Sequence, residues 1–272
     1  MELGIGDKKF KLAYKDYSRV SNLAVKISRL SAGRNGEEDK VVWACILFTK
    51  LCVTGRSLKK LLDHDVSKEY KLDWDYSSAF SLTRNIMECY QALFYLCFDD
   101  APEEELKARK YLFNVHDYYS RKTFFSFVSE TFDIERENTE IEEFVLNQLK
   151  GNSFFKTLNE QQQKNYLKGK NAFFISREDI EEKEGMRKDD FRYWYKFLSS
   201  NIHSYPMGFF RMIDGDRGTG VHSDVEERYS AIVLELATGY LIRGCLNMLK
   251  FFPDINEKMS PQEKQLLTLI VK

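Results

Sequence analysis

Proline is scarce in this 272-residue chain, at 4 residues or about 1.5%, against roughly 5% in average proteins. Glycine, at 14 residues, is also below its usual share of about 7%. So few breakers disfavour a turn-rich β-sandwich or barrel. Charge of one sign is lacking too: 41 Lys+Arg stand against 42 Asp+Glu, for a formal net charge of −1. That balance excludes a chain-wide polyanion-binding surface. There is no C-x-x-C, and the cysteine count, five, is odd. Cys45, Cys52, Cys89, Cys97 and Cys245 all fall inside apolar runs, as reduced thiols buried in a cytoplasmic protein would. The first residues, MELGIGDKKF, contain no apolar signal segment. The longest apolar run, 41–53, is broken at Thr49 and Lys50 and falls short of the ~20 residues that span a bilayer. The expectation is a cytoplasmic protein without a membrane partner.

Several motifs are missing as well. The chain has no G-x-x-x-x-G-K-[ST], no G-x-G-x-x-G, no H-E-x-x-H and no G-x-S-x-G. Its four scattered histidines form no cluster with cysteine, so no metal and no cofactor is expected.

What is present is long side chains at helical spacing, with 21 Phe and 15 Tyr. Phe10, Leu12, Ala13, Tyr17, Val20, Leu23, Ala24, Ile27 and Leu30 follow spacings of three and four. A turn at 33–36 and helices over 37–62 and 74–98 follow, the latter apolar on nearly every side and therefore central. Asp100, Pro102 and Glu103 read as the start of a further helix reaching about residue 130. A charged stretch over 133–170 reads as a partly helical insertion. Pro206 closes a helix begun near residue 187, and a long connection containing four glycines spans 204–222. Ser223 and Ser260 each precede a glutamate by three residues, as capping boxes do. The expected architecture is all-α: a single helical bundle over 1–272.

Two constellations carry chemistry. Arg84 and Glu88 lie four apart within an apolar helix, on one face. Buried charges cost several kcal/mol each unless paired, so this is either an internal ion pair fixing helix register or an arginine held ready for an anion. Tyr195, Ser199 and His203 recur at intervals of four and share a face if their helix continues that far. His203 then stands at a helix C-terminus, where the dipole favours a cationic imidazole, as a cap or as a general acid/base.

R-x-x-x-E followed far downstream by Y-x-x-x-S-x-x-x-H resembles an uncharacterised bacterial family of all-helical domains of unknown function, over about 37–203. The resemblance implies a helical fold with Arg84, Glu88, Tyr195, Ser199 and His203 at its site, and no reaction. A weaker similarity links Arg109 and His116, as R-x(6)-H, to helical ribonuclease domains of the HEPN type, whose pattern is R-x(4–6)-H; Arg217 and His222 fit it as R-x(4)-H, in Gly-rich sequence. The basic groups Arg56, Lys59, Lys60 and Lys164, Lys168, Lys170 read as solvated helix faces.

Two functions follow as expectations. One is a metal-independent ribonuclease, of the kind a toxin or antiviral defence effector uses, acting on RNA or a small anionic ligand. Arg84 would hold a phosphate, Glu88 would position the arginine and His203 would move a proton. The other is a non-enzymatic module that binds a protein partner or a second copy of itself.

Overall fold

The computed structural model describes residues 5–34, 39–63, 74–127, 134–203, 205–213 and 220–268. Among them the chain is all-α, with thirteen α-helices and one π-helical turn and no extended strand. The expected fold class is therefore observed.

The chain forms two compact units, residues 1–98 with 180–272, and residues 99–179. In the first unit, α1 (Ile5–Ser31) and α2 (Asp39–Leu61) form an antiparallel pair. It is tied by the Tyr17 hydroxyl donating to the Gly55 carbonyl at 2.7 Å and by the Cys45 thiol donating to the Ser31 carbonyl at 3.3 Å. α3 (Tyr76–Leu93) packs on α2 and continues into a π turn, Phe94–Phe98. Its start is fixed by Asp75, whose carboxylate accepts from the Ser78 N–H.

α8 (Arg177–Lys183), α9 (Lys188–Ile202) and α10 (Pro206–Ile213) follow. α11 (Asp224–Phe251) packs along both α1 and α3. Its backbone approaches α2 closely at Gly244, where a Cβ would meet Leu51 at 2.8 Å. The short helices α12 (Pro253–Glu257) and α13 (Pro261–Leu266) close the chain. Tyr17, Phe48, Leu51, Phe80, Leu234, Ala237 and Leu241 form the centre of the core, each without solvent exposure.

The second unit contains α4 (Glu103–Ser126), α5 (Ile134–Gly151), α6 (Ser153–Thr157) and α7 (Glu160–Tyr166). Ala108, Leu112 and Val115 of α4 bury themselves against Leu149, Phe155 and Tyr166. The charged stretch 133–170 thus has an apolar side of its own, and it shares a core with α4.

Several local expectations change. The α4 start is not capped by Asp100: Pro102 is the N-cap and makes no side-chain cap bond. Pro102 has no N–H to lose, and neighbouring Asp99 is engaged elsewhere, by Arg109. α4 ends at Ser126 rather than near residue 130. Pro206 does not close the helix before it; it opens α10, a position where its fixed φ suits a first turn. The expected connection over 204–222 therefore contains a helix. Residues 204 and 214–219, Arg217 included, and residues 35 and 36 of the expected turn lie outside the described residues. Ser223 and Ser260 cap as expected, each hydroxyl accepting an N–H three residues on at 3.2 Å, and the Ser260 box is reciprocated by Glu263.

Two helices, α2 and α11, are long and apolar enough to cross a membrane, with mean hydropathy 1.5 and 1.3 over 18 residues. This corrects the judgement by uninterrupted runs, which overlooked helices whose polar residues are few but scattered. In α11 most of that stretch is buried inside the protein.

Candidate functional site

The helices α3 and α9 run antiparallel. The Ser77 hydroxyl donates to the Asn201 carbonyl at 2.9 Å near one end, and Arg84 meets Tyr195 two turns further on. This register brings three of the five expected site residues together. Arg84 Nε donates to Glu88 Oε1 at 3.0 Å, and its Nη2 donates to the Tyr195 hydroxyl at 2.5 Å. The same hydroxyl donates to Glu88 Oε1 at 3.4 Å. The guanidinium carbon stands 4.6 Å from the centre of the Tyr195 ring, within cation–π range. The Arg84 side chain is 22% exposed and that of Glu88 31%, so the cluster is open to water on one side.

The other two residues are placed differently. The Ser199 hydroxyl donates back to the Tyr195 carbonyl at 2.6 Å, a bond within its own helix. α9 ends at Ile202, and His203 is its exposed C-cap, with its N–H donating to the Ser199 carbonyl at 3.3 Å. Its imidazole lies 5.3 Å from the Tyr205 ring. Eight helical residues at 1.5 Å each put His203 about 12 Å along the axis from Tyr195. The expected shared face required the helix to continue to His203, and α9 ends one residue before it.

Arg109 and His116 also fall apart, on one helix about 10 Å from each other by the same rise. Arg109 is 1% exposed and its Nη2 pairs with Asp99 Oδ2 at 2.7 Å and with Glu105. A guanidinium closed in by two carboxylates holds a fold together and has little left for a ligand. His116 is half-buried beside the Ser120 hydroxyl at 3.4 Å.

A second polar cluster in the first unit was not anticipated. Glu181, 1% exposed, accepts from Gln91 Nε2 at 2.9 Å, from the Tyr240 hydroxyl at 3.0 Å and from Arg243 Nη1 at 2.9 Å. The Arg243 guanidinium lies 4.3 Å from the Tyr240 ring centre and 4.7 Å from that of Tyr90. Tyr90 donates to Glu184 and accepts from Asn247 Nδ2 at 2.9 Å. Burial pushes both tyrosine hydroxyls well above their ordinary range, so they remain donors. For Arg243, burial acts downward, and Glu181 with the two tyrosines more than offsets it. The rule that selects Arg84, a lone cation in an apolar helix, also selects Arg243 within GYLIRGCLNML.

All five cysteines are free thiols, four of them buried, with Cys45 partly exposed. Burial pushes Cys52 and Cys97 to about 12 and Cys89 to about 11, which leaves them unreactive protonated thiols. No group of three or more His, Cys, Asp or Glu side chains suited to a metal occurs among the described residues. Two clefts, of about 690 and 210 Å³, have linings that include none of Arg84, Glu88, Tyr195, Ser199 and His203.

At the end of α9 the surface turns apolar. Tyr205, Met207, Phe209, Phe210, Met212 and Ile213, in and beside α10, are all exposed. Gly208 alone is buried there, with no room for a side chain: a Cβ would stand 2.2 Å from the Ser200 carbonyl oxygen.

A family model described as a family of unknown function matches residues 41–220. No curated protein matches the chain, and no solved structure does.

Proposed function

The chain belongs to this family, DUF5677, whose match runs from α2 through α10, and within that frame we propose that the protein is a non-enzymatic helical module that self-associates through α10. The observation that carries this reading is the exposure of six large apolar side chains over 205–213. Soluble monomers rarely leave a contiguous apolar patch of more than a few hundred Å² in water. Six side chains about half exposed amount to roughly 600 Å², given that an aromatic residue buries about 150–250 Å². Two such patches facing each other across a twofold axis would bury roughly 1,200 Å², the lower bound of specific interfaces. Phe, Tyr, Met and Arg211 are the residue types that interface centres favour. Its buried, free thiols support a cytoplasmic location as part of this reading.

One observation favours the other reading. Arg84 spends one N–H on Glu88 and one on Tyr195, and its side chain keeps 22% exposure, so part of its donor fork faces water. A ribonuclease, toxin or antiviral effector built on it requires a proton-transfer group at the same phosphate, and His203 stands about two turns away. RNA cleavage that survives purification and disappears in both Arg84→Ala and His203→Ala would favour that reading.

Self-association is tested by thiol cross-linking. A cysteine introduced by Met207→Cys or Met212→Cys should give a covalent dimer with a bismaleimide. Leu12→Cys, on another exposed surface, and the wild type should not. Equal dimer yields from all four proteins would contradict the reading.

A further inference from the structure

The larger of the two clefts, about 690 Å³, is lined by α1 and by the last turns of α2 with the residues after it. It gathers Lys26, Arg29, Arg56, Lys59 and Lys60 around a single carboxylate, Asp63. Lys26 is paired, its ammonium 2.7 Å from Glu263 of α13. Among the described residues no carboxylate stands within ion-pair distance of Arg29, Arg56, Lys59 or Lys60. Other surface cations of the chain, such as Lys107, Arg121 and Arg192, do have a carboxylate partner. Four unneutralised cations around one cleft repel each other, and an anion would relieve that repulsion.

The cleft has a direction. The Tyr14 hydroxyl donates to the Lys59 carbonyl at 3.4 Å, so Lys59 is level with Tyr14 on α1. Arg29 lies fifteen residues further along the same helix, about 22 Å at 1.5 Å per residue. Cations spread over that length match a row of phosphates, which follow one another every 3.4 Å or so along a stacked strand. The remaining lining, Asn22, Val25 and Leu30, offers no aromatic ring on which a base would stack.

We infer that this cleft binds the phosphate backbone of a single-stranded nucleic acid, without sequence preference. The site is independent of α10 and adds a second partner to the self-associating module. Four phosphate contacts on a single strand give a slope of log K against log salt of about −2.8. Removing two of the cations should bring that slope to about −1.4.

The test is fluorescence anisotropy of a fluorescein-labelled oligouridylate titrated with the full chain at several salt concentrations. Inorganic tripolyphosphate serves as a second ligand. The variant Arg29→Glu/Arg56→Glu reverses two exposed cations, and Arg192→Glu/Lys196→Glu changes net charge equally on exposed positions of α9. The expected result is binding by the wild type with the steeper slope, at least a tenfold loss in the cleft variant, and unchanged binding in the α9 variant. Circular dichroism confirms that the variants keep their helix content. The inference is overturned if the wild type does not bind the oligonucleotide, if tripolyphosphate binds and the oligonucleotide does not, or if the α9 variant loses as much as the cleft variant.

Discussion

Two polar clusters share one side of α3, and they differ in what surrounds them. Arg84, Glu88 and Gln91 follow at intervals of four and three, so one helical face supplies both. Towards the end of α3, Gln91 meets Glu181, and the carboxylate is closed in by Tyr240 and Arg243 from α11. Towards the start of α3, Arg84 and Glu88 meet Tyr195 of α9 and remain 22% and 31% exposed. The closed cluster joins three helices and leaves Glu181 1% exposed. The open one leaves its arginine 22% exposed. Polar residues on one helix face therefore serve as a structural tie in one place and an accessible group in the other, and the depth of burial separates the two.

The largest effect should separate the two clusters directly. Glu181→Ala strands a half-buried guanidinium and two buried donors, and loss of one partner from a buried charged network costs about 3–5 kcal/mol. Urea unfolding should show this as a lowered midpoint with an unchanged slope. Gly208→Ala should come next: the added methyl meets the Ser200 carbonyl, and overpacking of this kind costs about 1–3 kcal/mol. Faster hydrogen exchange over 205–213, with the rest of the first unit unchanged, would locate the damage. Arg84→Ala removes a partly exposed pair and should cost under about 1 kcal/mol. If it matched Glu181→Ala, the distinction between open and closed clusters would fail.

The smallest effect concerns pH. The Glu263 carboxylate is held below its ordinary range first by the Lys26 hydrogen bond and then by the Ser260 N–H. A depressed folded value means that the tie contributes at pH above the unfolded carboxylate range and is lost as pH falls through the folded value. The stability difference between wild type and Glu263→Gln should accordingly shrink on acidification. A difference constant from neutral to acid pH would show that the ion pair contributes nothing.

The fold was legible where periodicity and caps agreed. α1, α2, α9 and α11 follow their apolar spacing, and Ser223 and Ser260 cap the helices they announce. α8 was not legible because REDIEEK is too short and too charged to show a period, and it is α8 that carries Glu181 into the core. α10 was masked by Pro206, which reads equally as the end of one helix and the first residue of the next. Of the candidate site, the convergence of Arg84, Glu88 and Tyr195 follows from two helix faces meeting. The place of His203 does not, since a shared face says nothing of distance along the axis. Arg109 was misleading because its neighbours, KARKY, look solvated, whereas Asp99 and Glu105 bury it.

Sedimentation velocity of the wild type across a wide concentration range tests the central claim, that α10 joins two copies of this 32.1 kDa chain. The account predicts a species of twice that mass at high concentration, reverting to the single-chain mass in Phe209→Ser/Phe210→Ser. A wild type that sediments as a single 32.1 kDa chain at every concentration would contradict it.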